Sequence, residues 1–283
     1  WTGSAYKGTT TLREGIYNSM NVVTVKTLAK VTPKVAYDYL VNLGITTLVD
    51  SRIDKSGKVF SDIQLPMALG GLTDGVTNLE LTAAYASIAN GGVYTEPVLY
   101  TRILDHDGNV LIENTSVSRS VIKDSTAYLL TSAMEDVISI GTGTAAKFTG
   151  IDMPAAGKTG TTSKDIDLWF EGYTPYYTAG IWGGWDLNKD QVNTTYHKTI
   201  WKTIMERVHT EKNLEKKEFD VPDSVSKVSI CRICGKLAVE GVCSSYGSEK
   251  TEYFAKDTIP KEYCSCHQTA AIINKPSKPK STE

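Results

Sequence analysis

Apolar residues recur at helical spacing from Thr11 to Lys30, where Leu12, Ile16, Met20 and Val23 share one face, and this predicts mostly helix. A second helix is expected from Thr32 as N-cap, with Pro33 in its first turn, an apolar set including Val35, Tyr39 and Leu43, and Gly44 as stop. A third opens on a Thr77/Glu80 capping box, carries Leu81, Ala84, Tyr85 and Ile88, and ends at Gly91 and Gly92. PVLYTRILDHDGNVLIEN alternates apolar and polar residues around His106, Asp107 and Gly108, the pattern of a hairpin with His106 at a solvated turn. Another helix is predicted from Ser125 to Ile138, with Leu129, Leu130, Ala133 and Val137 facing inward. GTGTAAKF, AAGKTGTTS and LWFEGYTPYYTAGIWGGW read as strands, with Pro175 at a turn. A final amphipathic helix, HKTIWKTIMERVH, places Ile200, Trp201, Ile204, Met205 and Val208 against the sheet and leaves His197 and His209 on its polar face. Helices first and clustered strands late predict an α+β fold, an antiparallel sheet flanked by helices.

Composition adds limits. The 283 residues are 41% hydrophobic, enough for one large domain with a small appendage. A formal net charge of -2, with both signs interspersed, argues against a nucleic-acid partner. No apolar run is long enough for a membrane span, and WTGSAYKG lacks the regions of a signal peptide. Opening on Trp1, the chain reads as the later portion of a longer polypeptide, with any leader ahead of it. All five cysteines lie after residue 230 and mark a different kind of segment. The expected division is 1–210 as the main domain, 211–267 as a charged linker and Cys-containing segment, and 268–283 as a mobile tail with few apolar residues.

Candidate chemistry concentrates in Lys158-Thr159-Gly160-Thr161-Thr162, which sets a cation, hydroxyls and a residue without a side chain at neighbouring strand positions. Gly160 would let a peptide backbone approach, while Lys158 and Thr161 could bind a carboxylate and polarise a serine. Alone, the tripeptide fits an ordinary strand ending in a turn equally well. Ser19-Met20-Asn21 offers a hydroxyl and an amide that can relay a proton and hold a carbonyl, although such pairs often make only local backbone bonds.

Ser-x-Asn followed far downstream by Lys-Thr-Gly is the arrangement of penicillin-binding proteins and class A β-lactamases. TLREGIYNSMNVVTVKTLAK, LGGLTDGVTNLELTAAYASIANGGVYTEP and KTGTTSKDIDLWFEGYTPYYTAGIWGGWD resemble, in order, segments of the transpeptidase domain of class A, bifunctional penicillin-binding proteins. The resemblance covers about residues 1 to 210 and extends weakly into the cysteine segment. It implies a D,D-transpeptidase that cross-links peptidoglycan stem peptides drawn from a lipid-linked precursor, at the extracytoplasmic face of the bacterial membrane, and is acylated by β-lactams. By the same carry-over, Ser19 assists proton transfer, Asn21 binds the substrate amide, and Lys158, Thr159 and Thr161 orient the donor carboxylate. Amides after Gly160, toward Thr161 and Thr162, supply part of an oxyanion hole. Neither metal nor organic cofactor takes part in the reaction.

One departure limits this reading. The family's nucleophile belongs to a Ser-x-x-Lys box several tens of residues before Ser-x-Asn, and Ser19 lies too near the start for that. Ser4-Lys7, Ser120-Lys123, Ser224-Lys227 and Ser277-Lys280 match the spacing but not the context, and read as coincidences. The nucleophile, with a glycosyltransferase domain and a membrane anchor, is therefore expected on an upstream segment, and the isolated chain is expected to be inactive. A non-catalytic peptidoglycan- or partner-binding role is the alternative, and a serine β-lactamase a weaker one.

For the cysteines two readings stay open. Cys231, Cys234, Cys264 and Cys266 with His267 could hold a structural zinc, or the thiols could pair as disulfides with one left over. Cys231, Cys243, Cys264 and His267 are similar to positions in the C-terminal segment of Gram-positive class A proteins, and Cys234 and Cys266 are additional.

Overall fold

The computed structural model describes residues 8–267, so Ser4-Lys7, Ser277-Lys280 and the expected tail lie outside the described residues. Two compact units divide the chain between Asp220 and Val221.

In the first unit, α1 (Leu12–Tyr17), α2 (Asn21–Val31) and α3 (Pro33–Asn42) lead into a short ladder of β1 (Arg52–Ile53) and β2 (Val59–Phe60). α4 (Asn78–Ala89) follows, then β3 (Val93–Thr95), the hairpin β4 (Arg102–Leu104) with β5 (Val110–Glu113), and β6 (Ser118–Ser120), which pairs with β3. α5 (Asp124–Ser139) precedes the central antiparallel sheet of β7 (Ala156–Thr161), β8 (Leu168–Tyr173) and β9 (Thr178–Gly183), and α6 (Tyr196–Glu211) closes the main fold. All pairings are antiparallel among the described strands, as an α+β chain with flanking helices requires.

The central sheet is covered on both faces. Phe170 of β8 packs with Trp201 and Met205 of α6 and Ile138 of α5, with Phe148 stacked on Trp201 at 5.5 Å. Because side chains alternate along a strand, Ala156 and Tyr173 point to the other face. There they meet Met134 and Leu130 of α5, Tyr85 and Ile88 of α4 and Ile16 of α1. Arg13 ties α1 to α5 by donating to the Ser132 carbonyl (2.7 Å) and Asp136 (3.0 Å). Phe219 also packs on Tyr173, so residues up to Asp220 belong with the first unit rather than with a linker.

Several local expectations are corrected. The helix read through Thr11 to Lys30 is broken at Asn18–Met20. GTGTAAKF forms a 3-10 turn, Thr144–Ala146, instead of a strand, because Gly141 and Gly143 carry the chain tightly back over the end of α5. α6 is rotated from its expected face: His197, Trp201, Met205 and His209 form the buried i, i+4 stripe, while Ile200 and Ile204 are exposed. His209 is accommodated by two bonds, Nε2 to Thr174 Oγ1 (2.9 Å) and Nδ1 to the Met205 carbonyl (2.7 Å). His197 has no hydrogen-bond partner on either nitrogen, and its burial pushes its pKa down to about 4, so it stays neutral. His106 sits exposed at the β4–β5 turn, as expected. Among the described residues no helix is long and apolar enough to cross a membrane.

The second unit contains the antiparallel pair β10 (Val225–Cys231) and β11 (Glu249–Ala255), with three cysteines in its small core.

Candidate active site

The site starts at the break between α1 and α2. The Ser19 N–H donates to the Ile16 carbonyl (3.1 Å) and the Met20 N–H to the Gly15 carbonyl (2.8 Å), the paired bonds of a Schellman C-cap. That motif requires a left-handed residue, usually glycine, and here it is Ser19 at φ 52. A side chain in this conformation costs about 1 kcal/mol or more. The turn starts α2 at once, leaving Asn21 exposed in its first turn.

Opposite lies β7, an edge strand of the central sheet, along which alternate main-chain groups point away from β8. Lys158 Nζ donates to Ser19 Oγ (2.8 Å) and to the Thr159 carbonyl (2.9 Å), joining the two motifs across 139 positions of sequence. Burial pushes the Lys158 pKa down to about 8. Because the ammonium donates to Ser19 Oγ, the serine's own hydrogen is left to turn elsewhere. Ser19 Oγ and Lys158 Nζ are thus in the direct contact that a proton transfer between them needs.

Thr159 lies on the opposite face of the strand from Lys158, its hydroxyl shared with Thr142 Oγ1 at 2.8 Å. Thr161 ends β7 and is exposed. Thr162 is engaged in a turn: its hydroxyl donates to Asp167 Oδ2 (3.1 Å) and accepts from the Asp167 N–H (2.8 Å). Gly160 sits across from Trp169 in the ladder, and a Cβ there would lie 3.1 Å from the Trp169 Cβ, so the glycine also serves the close fit of β7 to β8. Ser19, Lys158 and the Thr159 backbone are thus directly connected, while Asn21 has an open position.

Three contributors escaped the sequence reading. Thr142 belongs to a run read as a strand; its N–H donates to the Tyr17 carbonyl (3.1 Å) and its hydroxyl meets Thr159. Asp167 also accepts from Trp182 Nε1 (3.1 Å), fixing the turn after the Lys-Thr-Gly strand. Glu171 pairs with Lys158 in the ladder, is buried, and receives one bond from Thr82 Oγ1 (3.2 Å). Burial raises its pKa to about 8, which keeps it protonated at neutral pH. In the sequence Glu171 is a single acid among Leu168, Trp169, Phe170 and Tyr173, and the pattern alone does not say that its carboxyl is buried.

Among the Ser-x-x-Lys matches, Ser120 closes the exposed strand β6, and Ser224-Lys227 belongs to the second unit. Neither has the buried helical setting that a lysine-activated serine needs.

The fold is that of penicillin-binding transpeptidases. Penicillin-binding protein 1A from Haemophilus influenzae superposes with a TM-score of 0.75 at 21% identity, covering 92% of this chain and 42% of that one. PonA1 from Mycobacterium tuberculosis gives 0.64 at 22% identity, covering 77% and 61%. Residues 1–206 match the penicillin binding protein transpeptidase domain, and residues 221–269 match the penicillin-binding protein 1A C-terminal domain. The chain therefore belongs to the transpeptidase family of penicillin-binding proteins. Penicillin-binding protein 1A of Clostridium tetani is 32% identical over 93% of this chain, and that of Clostridium botulinum (strain Langeland) 35% identical over 96%. The chain spans about a third of the length of these curated relatives, 33% and 32%.

Proposed function

We propose that this chain supplies the substrate-positioning part of a peptidoglycan D,D-transpeptidase, and that its serine nucleophile lies in a Ser-x-x-Lys box on a preceding segment of the complete protein. The observation that carries this is the 2.8 Å bond from Lys158 Nζ to Ser19 Oγ, with Ser19 held in a left-handed turn.

The nucleophile attacks the penultimate D-Ala carbonyl of a donor stem peptide, D-Ala leaves, and an acceptor amine resolves the acyl-enzyme. The lysine of the Ser-x-x-Lys box takes the nucleophile's proton, and Ser19 passes its own proton to the leaving amine and takes one in return from the Lys158 ammonium. Asn21 holds the donor's amide, and the outer edge of β7 takes the extended peptide as an added strand. Thr159 and Thr161 lie along that edge, where their hydroxyls meet the donor carboxylate and the amide after Gly160 meets the developing oxyanion, while Thr162, bonded to Asp167 through its N–H and hydroxyl, fixes the turn beyond it. The reaction needs no metal or organic cofactor.

Peptidoglycan stem peptides and their lipid-linked precursor are the substrates, and β-lactams are the acylating mimics; a structure of PonA1 in complex with penicillin V belongs to the same fold group. The setting is the extracytoplasmic face of the membrane, with the anchor and glycosyltransferase domain on the preceding segment.

In the complete protein, Lys158→Ala removes one charge-assisted contact of about 1.5–3 kcal/mol, and acylation by a fluorescent penicillin slows at least about tenfold. Unchanged acylation refutes the assigned role.

A further inference from the structure

The described part of the second unit, residues 221–267, is too short for a self-sufficient apolar core. Its buried centre is sulfur: Cys231 and Cys243 are 0% exposed and Cys264 1%, packed with Ala238 and Val239. Two backbone features aim thiols at this centre. Cys231 ends β10 in a tight turn in which the Gly235 N–H donates to the Cys231 carbonyl (2.7 Å), with Gly235 at φ 73. From the other side, the Cys264 N–H donates to the Leu237 carbonyl (2.8 Å), which brings the 264–267 segment over that turn.

Four donor atoms converge there. The Cys231, Cys264 and Cys266 sulfurs and a His267 ring nitrogen all lie within 4.8 Å of one another. Zinc–sulfur bonds of about 2.3 Å and zinc–nitrogen bonds of about 2.05 Å in a tetrahedron give edges of about 3.8 Å between sulfurs and about 3.5 Å between sulfur and nitrogen. Cys231 Sγ is 3.7 Å from Cys266 Sγ and 3.5 Å from His267 Nε2. Cys264 Sγ to Cys266 Sγ, at 3.2 Å, needs only a small side-chain rotation to reach the same edge. A disulfide requires about 2.05 Å instead. The His267 ring is positioned from behind by Tyr246, stacked at 4.6 Å, and by Ser248 Oγ at 2.7 Å from Nε2. Ser248 Oγ also donates to the Cys243 carbonyl (3.0 Å), so it accepts the ring proton that a metal would displace.

We propose that Cys231, Cys264, Cys266 and His267 bind one zinc ion that closes the second unit. Four protein donors leave no position for a reactant, so the site is structural. Binding releases the thiol protons to solvent and moves the His267 ring proton from Nε2 to Nδ1, and nothing is oxidised or reduced. Cys243, whose sulfur accepts from the Val239 N–H (3.3 Å), lies outside the ligand set; the exposed Cys234 sulfur also approaches those of Cys231, Cys264 and Cys266, and the Cys234→Ser variant tests whether it takes the place of His267.

The test uses the full 283-residue chain, purified without chelator in a phosphine reductant. Elemental analysis should find about one zinc per chain, and replacement by Co²⁺ should give thiolate-to-cobalt charge-transfer bands and the intense ligand-field bands of a tetrahedral site. Cys266→Ser and His267→Ala should each weaken Co²⁺ binding more than about tenfold, and Cys234→Ser should leave it unchanged. Because Cys231 is fully buried and its substitution also perturbs folding, the wild-type cobalt spectrum and the exposed Cys266 variant decide the matter. Free or disulfide-paired thiols with no bound metal overturn the proposal. Metal that survives Cys266→Ser and is lost in Cys234→Ser overturns the ligand set.

Discussion

Ser19 is both a proposed catalytic group and a strained residue, and the two properties separate under substitution. Ser19→Ala and Ser19→Gly each remove the hydroxyl and the 2.8 Å bond from Lys158, so that loss is common to both. They differ only at the backbone. Alanine keeps the conflict between a Cβ and φ 52, worth about 1–2 kcal/mol. Glycine removes it but gives the unfolded chain more freedom, which offsets about 0.4–1 kcal/mol. The glycine variant is therefore expected to be the more stable by about 1 kcal/mol, roughly a fivefold shift in the folding equilibrium. Urea unfolding of the 283-residue chain, followed by tryptophan fluorescence, measures it. The four described tryptophans, Trp169, Trp182, Trp185 and Trp201, lie in the first unit, so the signal reports the unit that contains Ser19. In the complete protein both variants should acylate slowly, so the more stable of the two gains no activity from its stability. An alanine variant equal to or more stable than the glycine variant refutes the reading of the Schellman turn as strained.

Two further predictions concern the neighbourhood of that turn. Glu171 has a folded pKa raised to about 8, so its stabilising proton is lost as pH rises from its unfolded value near 4.5 through 8, and stability falls in that window. Lys158 has a folded pKa lowered to about 8, so the unfolded chain holds the extra proton between 8 and 10.5 and stability rises there. Urea midpoints should therefore fall and then rise with pH, Glu171→Gln flattening the first limb and Lys158→Met the second; limbs unaltered in these variants contradict the assignment. Gly141→Ala would place a Cβ 2.3 Å from the Tyr17 carbonyl oxygen, displacing the turn before Ser19. Penicillin acylation of the complete protein should fall at least about tenfold although no reacting group is altered, and normal acylation would show that the turn tolerates the shift.

Features with a local cause were legible in the sequence. Thr77 caps α4 through the Glu80 N–H (3.2 Å), Pro33 opens α3, and the Asp105–Asn109 turn joins β4 to β5. The Lys-Thr-Gly strand and its hairpin follow from aromatic and glycine runs that admit little else. The break at Ser19 was hidden because the left-handed position carries serine where glycine would have announced it. The α6 face was misjudged because histidine counts as polar, yet Thr174 and the Met205 carbonyl satisfy His209 inside the core. Thr142, Asp167 and Glu171 owe their positions to tertiary contacts, which no local pattern encodes.

The central claim is that this chain positions the donor and that the acylated serine lies elsewhere. Intact-mass spectrometry after incubation with a β-lactam tests it directly, on residues 1–283 alone and on the chain combined with a preceding fragment that carries Ser-x-x-Lys. The account predicts no adduct on the isolated chain, and in the combined sample a stoichiometric acyl adduct on the preceding fragment only. A stoichiometric adduct on Ser19, or on any other serine of the isolated chain, contradicts it.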